Sequence, residues 1–274
     1  MQLQHAKQRF ETQGIKFAAI SYDTSAILND FARRHKVNYP LLADPDSQII
    51  RSFDVFNAEA TGKEKGMAYP GFLYIDSGGI IREEYFEAKY TDRFTPNNVI
   101  GKLFPELTEE VTGNVDAPHL RVTLEQSDRT VVGGSRVSLT AEIELPPEVH
   151  VYAPGVEGGY KPIQLTLQTS SGVALAPVTY PHPKILYLKA IGEHVRVFEG
   201  KFRITQDATV NFSRTSDIAR SLVSSGKTIT ITGDLKYQAC DERVCYPPAS
   251  VSVTWRLEVL PLDLKRSPGD IRHK

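Results

Sequence analysis

The hydrophobic period of this chain changes once, near residue 107, and that change divides it into two folds. Before it, helical spacing alternates with short apolar runs of strand length. Leu3, Ala6 and Phe10 share one helical face, and Gly14 supplies the left-handed residue that ends such a helix. Residues 15–21 read as a strand. Thr24 is placed to cap a second helix that buries Ile27, Phe31 and Ala32. Residues 39–43 read as another strand, and Asp46 or Ser47 opens a short helix through Ile50 and Phe53. Residues 72–75 and 80–86 form two strands joined by the turn Asp76-Ser77-Gly78-Gly79. A last helix runs from about Thr95 to Phe104. Such alternation predicts an α/β domain with a central sheet over residues 1–106.

Residues 107–118 are polar and mostly aperiodic, and read as a linker. From His119 onward the period is two. Val137, Leu139, Ala141, Ile143 and Leu145 alternate with polar residues. Ile163, Leu165 and Leu167 do the same, as do Ile229, Ile231, Leu235 and Tyr237, and Val251, Val253, Trp255, Leu257 and Val259. Strands with one apolar face and Pro/Gly turns between them predict an antiparallel β-sandwich over residues 119–262. Residues 263–274 read as a polar tail. A length of 274 residues suits two cores better than one.

Chemistry is concentrated at one place. The chain holds two cysteines, in the run Tyr237-Gln238-Ala239-Cys240-Asp241-Glu242-Arg243-Val244-Cys245-Tyr246-Pro247-Pro248. Four intervening residues suit a hairpin loop, which sets positions 240 and 245 opposite each other. Opposed residues lie about 4.5–5.5 Å apart at Cα, within disulfide range. Simple continuation of that pairing would set Leu235 against Ser250, a core side chain against a polar one. The buried face of the second strand falls on odd numbers, so one residue must be absorbed, and Tyr246-Pro247-Pro248 is the expected site of a bulge or break. From the residues alone the pair is as consistent with a structural staple as with a redox centre. Closing so short a ring contributes only about 2 kcal/mol in the chain-entropy view. Asp241 and Glu242 would raise a neighbouring thiol pKa and Arg243 would lower it.

Other polar residues carry weaker signals. His119, His150, His182 and His194 lack the paired spacing of zinc ligands, so no metal is expected. Asp44, Asp46 and Asp54 read as helix caps and turn acids. Tyr152, Tyr187 and Tyr246 are candidates to cover a disulfide, though sandwich tyrosines also serve as packing residues. No Gly-rich phosphate loop and no Ser-His-Asp pattern occurs. A net charge of −1 gives no field to gather nucleic acid or anionic lipid. No apolar run reaches the length of a membrane span. The first residues lack the regions of a signal peptide, which by itself points to the cytoplasm.

Two stretches resemble known families. The run Arg34-His35-Lys36-Val37-Asn38-Tyr39-Pro40-Leu41-Leu42-Ala43-Asp44-Pro45-Asp46-Ser47, with Val55 and Tyr69-Pro70-Gly71-Phe72-Leu73-Tyr74-Ile75-Asp76, is similar to the later part of the AhpC/TSA peroxiredoxins. That resemblance implies a thioredoxin-like fold and a cis bond at Pro70. It also implies that the opening strands and the peroxidatic cysteine of the fold are missing, since residues 1–239 hold no cysteine. No peroxidase activity is expected of the chain as it stands. Loss of central strands would expose sheet edges and core, so an upstream start is the expectation here.

The second stretch resembles the N-terminal domain of the thiol:disulfide interchange protein DsbD, an immunoglobulin-like sandwich. The Cys240–Cys245 run carries the likeness. His150-Val151-Tyr152-Ala153-Pro154, Tyr180-Pro181-His182-Pro183, Gly192-Glu193 and Val197-Phe198-Glu199-Gly200 support it. The resemblance implies that Cys240 and Cys245 pass electrons between thioredoxin-like donor and acceptor proteins, with Cys245 forming the mixed disulfide. It implies that Tyr152, with Tyr187, Tyr237 and Tyr246, lines the site, and that a loop over residues 184–193 caps it. No cofactor is implied. A membrane electron carrier would act in trans, and the compartment would be periplasmic or otherwise extracytoplasmic. The alternative is a non-enzymatic interaction module, in which an inactive redoxin domain accompanies a stapled sandwich.

Overall fold

A computed structural model describes residues 2–107, 110–168, 172–188, 192–211, 228–262 and 265–271. The chain forms two compact units: residues 1–105 with 262–274, and residues 106–261.

In the first unit, α1 (Gln2–Thr12) buries Ala6 and Phe10. It ends at Gly14, whose φ of 74° is the left-handed conformation that glycine adopts without a Cβ penalty. β1 (Ala19–Ser21), α2 (Ser25–His35) and β2 (Leu41–Ala43) follow, with β1 and β2 paired in parallel. Asp44 caps α3 (Gln48–Ser52): its carboxylate accepts from the backbone N–H of Gln48 at 3.0 Å and of Ile50 at 2.8 Å. β3 (Gly71–Ile75) and β4 (Ile81–Phe86) form the expected hairpin. Asp76 holds its turn by accepting from the N–H of Gly78 and of Ile80. After β5 (Arg93–Phe94), Thr95 caps α4 (Pro96–Leu103), with Pro96 at the first turn where its missing N–H costs nothing.

Two expectations for this unit fail. The strands form two separate pairs, β1–β2 and β3–β4, in place of one central sheet. Among the described residues no strand hydrogen-bonds between them, and Ile20 and Leu42 stay 36% and 46% exposed. The Tyr69–Pro70 bond is trans, and no cis peptide bond occurs among the described residues. Tyr69 N–H donates to Val55 O and the Pro70 carbonyl accepts from Glu87 N–H, which holds the segment extended as it enters β3.

Residues 110–117, expected as linker, form a strand, β6 (Glu110–Ala117), at the edge of a sheet. Its apolar signal is weak: Val115 and Ala117 pack only partly buried against the sandwich core, and Val111 is exposed. The polar tail is also not free: the Arg34 guanidinium donates to Lys265 O and Ser267 Oγ within the first unit.

The second unit is a β-sandwich. One sheet has the order β12 (Val173–Thr179), β15 (Lys201–Val210), β9 (Ser135–Glu144), β7 (Leu120–Gln126), β6. The other has the order β11 (Gln164–Gln168), β16 (Thr228–Tyr237), β18 (Ala249–Val259), β8 (Thr130–Val131). Their inner faces share one core, with Val122, Leu139 and Ile204 from the first sheet and Ile231, Leu235, Trp255 and Leu257 from the second. Period-two alternation places every one of these on the same side of its strand. A third sheet, β13 (Lys184–Leu188), β14 (Glu193–Glu199), β10 (His150–Tyr152), β17 (Ala239–Cys240), completes the unit.

Candidate functional site

The register change anticipated after the cysteines is present. Along β16–β18, Leu235 faces Val251 and Tyr237 faces Ala249, so apolar meets apolar. Beyond Tyr237 the pairing shifts by one: Cys240 bridges Cys245, and Tyr246 N–H donates to Ala239 O. β16 ends at Tyr237, and β17 leaves that sheet to pair with β10, His150 opposite Cys240 and Val151 opposite Ala239. Two prolines after Tyr246 cannot donate to a ladder, which is why the chain changes sheets there.

The third sheet therefore has two distinct faces. Val151, Phe198 and Ala239 point into the sandwich core. Tyr152, Val195, Val197 and Cys240 point the other way and form a separate apolar cluster, against which Val156, Tyr160, Leu186 and Leu188 pack. The Cys240–Cys245 disulfide, with a Cα–Cα separation of 4.0 Å, thus lies on an outer face of the unit. Its two sulfurs are unequal. Cys240 is 1% exposed, whereas Cys245 is exposed to solvent.

Tyr152 sits over both. Its hydroxyl is 3.5 Å from Sγ of Cys240 and 3.5 Å from Sγ of Cys245. Disulfide sulfur carries no proton, so the hydroxyl is the donor to the pair. Burial raises the Tyr152 pKa above its ordinary value and keeps that proton in place. Tyr160 packs its ring on Tyr152, centroids 4.5 Å apart, and donates to Glu193 at 2.6 Å. That bond pushes the Tyr160 pKa up to about 12. A Tyr160–Glu193 clasp thereby covers Tyr152 from the start of β14. The tip of the anticipated capping loop, residues 189–191, lies outside the described residues.

The loop between the cysteines is held by Asp241. Its carboxylate accepts from the backbone N–H of Arg243 at 2.7 Å and of Val244 at 2.8 Å, and from the Tyr246 hydroxyl at 2.7 Å. Such bonds stabilise the charged form, with the Arg243 N–H leading, and lower the Asp241 pKa. A depressed carboxyl pKa contributes stability that is present above the unfolded value of about 3.9 and lost as pH falls through the folded value. Asp241→Ala should consequently lower the melting temperature near neutral pH, by a margin that narrows as pH falls below about 3.9. Melting curves across that range check it, and an equal gap at both ends would contradict the clamp.

Of the tyrosines expected to line the site, the structure brings Tyr152 and Tyr246 to it. Tyr246 follows Cys245 directly, and its ring stacks on His119 at 3.7 Å. Tyr237 lies deeper: it is 2% exposed in the sandwich core and donates to Pro118 O at 2.8 Å. Tyr187 is not brought to the sulfurs. It stands on the opposite face of β13 from Leu186 and Leu188, 50% exposed, with its ring against His194. Tyr160 has no local sequence signal, whereas the Asp241 clamp has one, an Asx pattern followed by a tight loop.

Fold and site together define a β-sandwich that carries a half-exposed disulfide on the outer face of a small sheet. Residues 121–255 match the family described as thiol:disulfide interchange protein DsbD, N-terminal, and residues 1–84 match the AhpC/TSA family. Each unit thus resembles one of these families. Among solved structures, the chain is similar to the N-terminal periplasmic domain of ScsB from Proteus mirabilis, with 16% identity, a TM-score of 0.38, and coverage of 55% of this chain and 52% of that one. It is also similar to the reduced DsbD N-terminal domain of Neisseria meningitidis, with 12% identity, a TM-score of 0.29, and coverage of 44% of this chain and 78% of that one. The match thus spans about half the length of the ScsB domain. No curated protein matches the chain. Among the described residues, no helix is long and apolar enough to cross a membrane.

Proposed function

We propose that the second unit is a thiol:disulfide relay that passes electrons between thioredoxin-like proteins through Cys240 and Cys245. The unequal exposure of the two sulfurs carries this reading. An incoming thiolate reaches Sγ of Cys245 from solvent, while Cys240 is enclosed. Attack forms a mixed disulfide at Cys245 and releases Cys240 as a thiolate. The Tyr152 hydroxyl, already 3.5 Å away, hydrogen-bonds that leaving sulfur. Electrons then leave by the reverse sequence to an acceptor disulfide. The DsbD family match over residues 121–255 supports the same chemistry.

Exchange of this kind belongs to an oxidising, extracytoplasmic compartment, and a membrane electron carrier acting in trans is a fitting source of reductant. The first unit, residues 1–105 with 262–274, has no cysteine and supplies no thiol chemistry. The reduction potential of the pair, measured against a glutathione or dithiothreitol couple, tests the relay. A value above about −300 mV is expected; a lower one, in the range of inert structural disulfides, would leave the pair a staple.

A further inference from the structure

His150 is the direct cross-strand neighbour of Cys240, and lies on the same sheet face as Tyr152. It is 3% exposed, and its Nε2 is buried with no hydrogen-bond partner among the described residues. A buried ring nitrogen left unpaired is costly, and natural proteins keep such groups for a reason. Opposed side chains of an antiparallel pair start about 4.5–5.5 Å apart at Cβ, which brings an imidazole within reach of a cysteine sulfur. In the disulfide the Cys240 sulfur has no proton to offer. In the dithiol it has one, at a position only 1% exposed, where water is a poor acceptor.

We propose that His150 is the proton acceptor for Cys240 when the disulfide closes. The inference rests on the relay reading and adds the path of the proton. The Cys240 sulfur attacks Sγ of Cys245 in the mixed disulfide with a thioredoxin-like partner. The Cys240–Cys245 bond forms and the Cys245–partner bond breaks. The electron pair leaves with the partner's sulfur as a thiolate, so the pair is oxidised and the partner reduced. The Cys240 proton passes to His150 Nε2 and from there to solvent. Run backwards, the imidazolium protonates Cys240 as it leaves.

The surroundings suit a ring that waits neutral and is charged only in passing. Burial lowers the His150 pKa below its ordinary value and keeps the ring unprotonated near neutral pH. Two carboxylates oppose that shift and steady the transient cation: Glu199, directly across on β14, and Asp241, on the cysteine loop. Lys184 of β13 donates to Glu199 at 3.3 Å and tempers it. From its own strand His150 meets the Tyr152 ring, edge to face at 5.6 Å, and from β17 it meets Cys240.

Stopped-flow reaction of the reduced full chain with Ellman's reagent separates the steps. The first thionitrobenzoate released reports attack by Cys245, and the second reports closure by Cys240. His150→Gln should slow the second release about 10²-fold near neutral pH, leave the first unchanged, and remove the imidazole limb from the pH profile of the second. An unaltered second-phase profile, or equal slowing of both phases, would overturn the proposal. NMR titration of His150 in the unsubstituted chain needs no variant: its pKa should differ between dithiol and disulfide forms, and superimposable curves would overturn the proposal. A reduced chain that fails to react at either cysteine would overturn the relay itself; normal closure that ignores His150 would remove only this inference.

Discussion

Cys245→Ser will abolish disulfide exchange, whereas Cys240→Ser will arrest it at the mixed disulfide. The two sulfurs are chemically identical and differ only in what surrounds them. Cys245 is exposed, and Cys240 is 1% exposed beneath Tyr152. Without Cys245, a partner thiolate has no accessible sulfur, and the rate of exchange should drop at least about 10³-fold. Without Cys240, the exposed thiol still attacks a partner disulfide, but nothing resolves the product, so the adduct accumulates. Gel-shift kinetics with a thioredoxin-like protein distinguish the variants. Each should cost little stability, since the ring they open is worth at most about 2 kcal/mol. A pair acting only as a staple would give no adduct in either variant.

This asymmetry was only partly legible in the sequence. The hairpin and its register shift followed from the parity of buried residues, because Leu235 and Val251 must share a face. Which sulfur is covered could not follow, since burial of Cys240 comes from β10, a three-residue strand nearly a hundred positions earlier in the chain. Short strands carry too little alternation to reveal their partners. For the same reason His150 looked like an isolated histidine. Tyr187 lies away from the sulfurs for a simpler cause: Leu186 and Leu188 take the site face of β13, and period two sends Tyr187 to the other side. The α/β unit was legible as local elements, caps and turns, but the pairing of its strands depends on neighbours that no local pattern encodes.

Trp255→Ala will cost the sandwich a large share of its stability. The ring is fully buried at the centre of the core shared by the two sheets. Its Nε1–H donates to Glu125 O at 2.8 Å, which ties β18 to β7 across the sandwich. Truncation of a buried aromatic of this size costs about 3–5 kcal/mol through lost burial and residual cavity. Loss of the hydrogen bond to Glu125 O adds about 1 kcal/mol. Against a total of about 5–15 kcal/mol for a typical domain, that is about a quarter or more. Urea unfolding followed by far-UV circular dichroism measures the loss. Trp255→Phe, which keeps most of the ring and forfeits the hydrogen bond, should fall between the variant and the parent. A loss below about 1 kcal/mol for the alanine variant would mean that the two sheets do not rely on this contact.

The most direct test is to locate the covalent bond itself. The protein in its disulfide form is mixed with a reduced thioredoxin-like protein whose second active-site cysteine has been replaced, the adduct is trapped in acid, and its peptides are mapped. The bond should lie on Cys245 in essentially all of the adduct. A bond on Cys240, or no adduct while the pair remains reducible by small thiols, would contradict an electron relay that enters through the exposed sulfur.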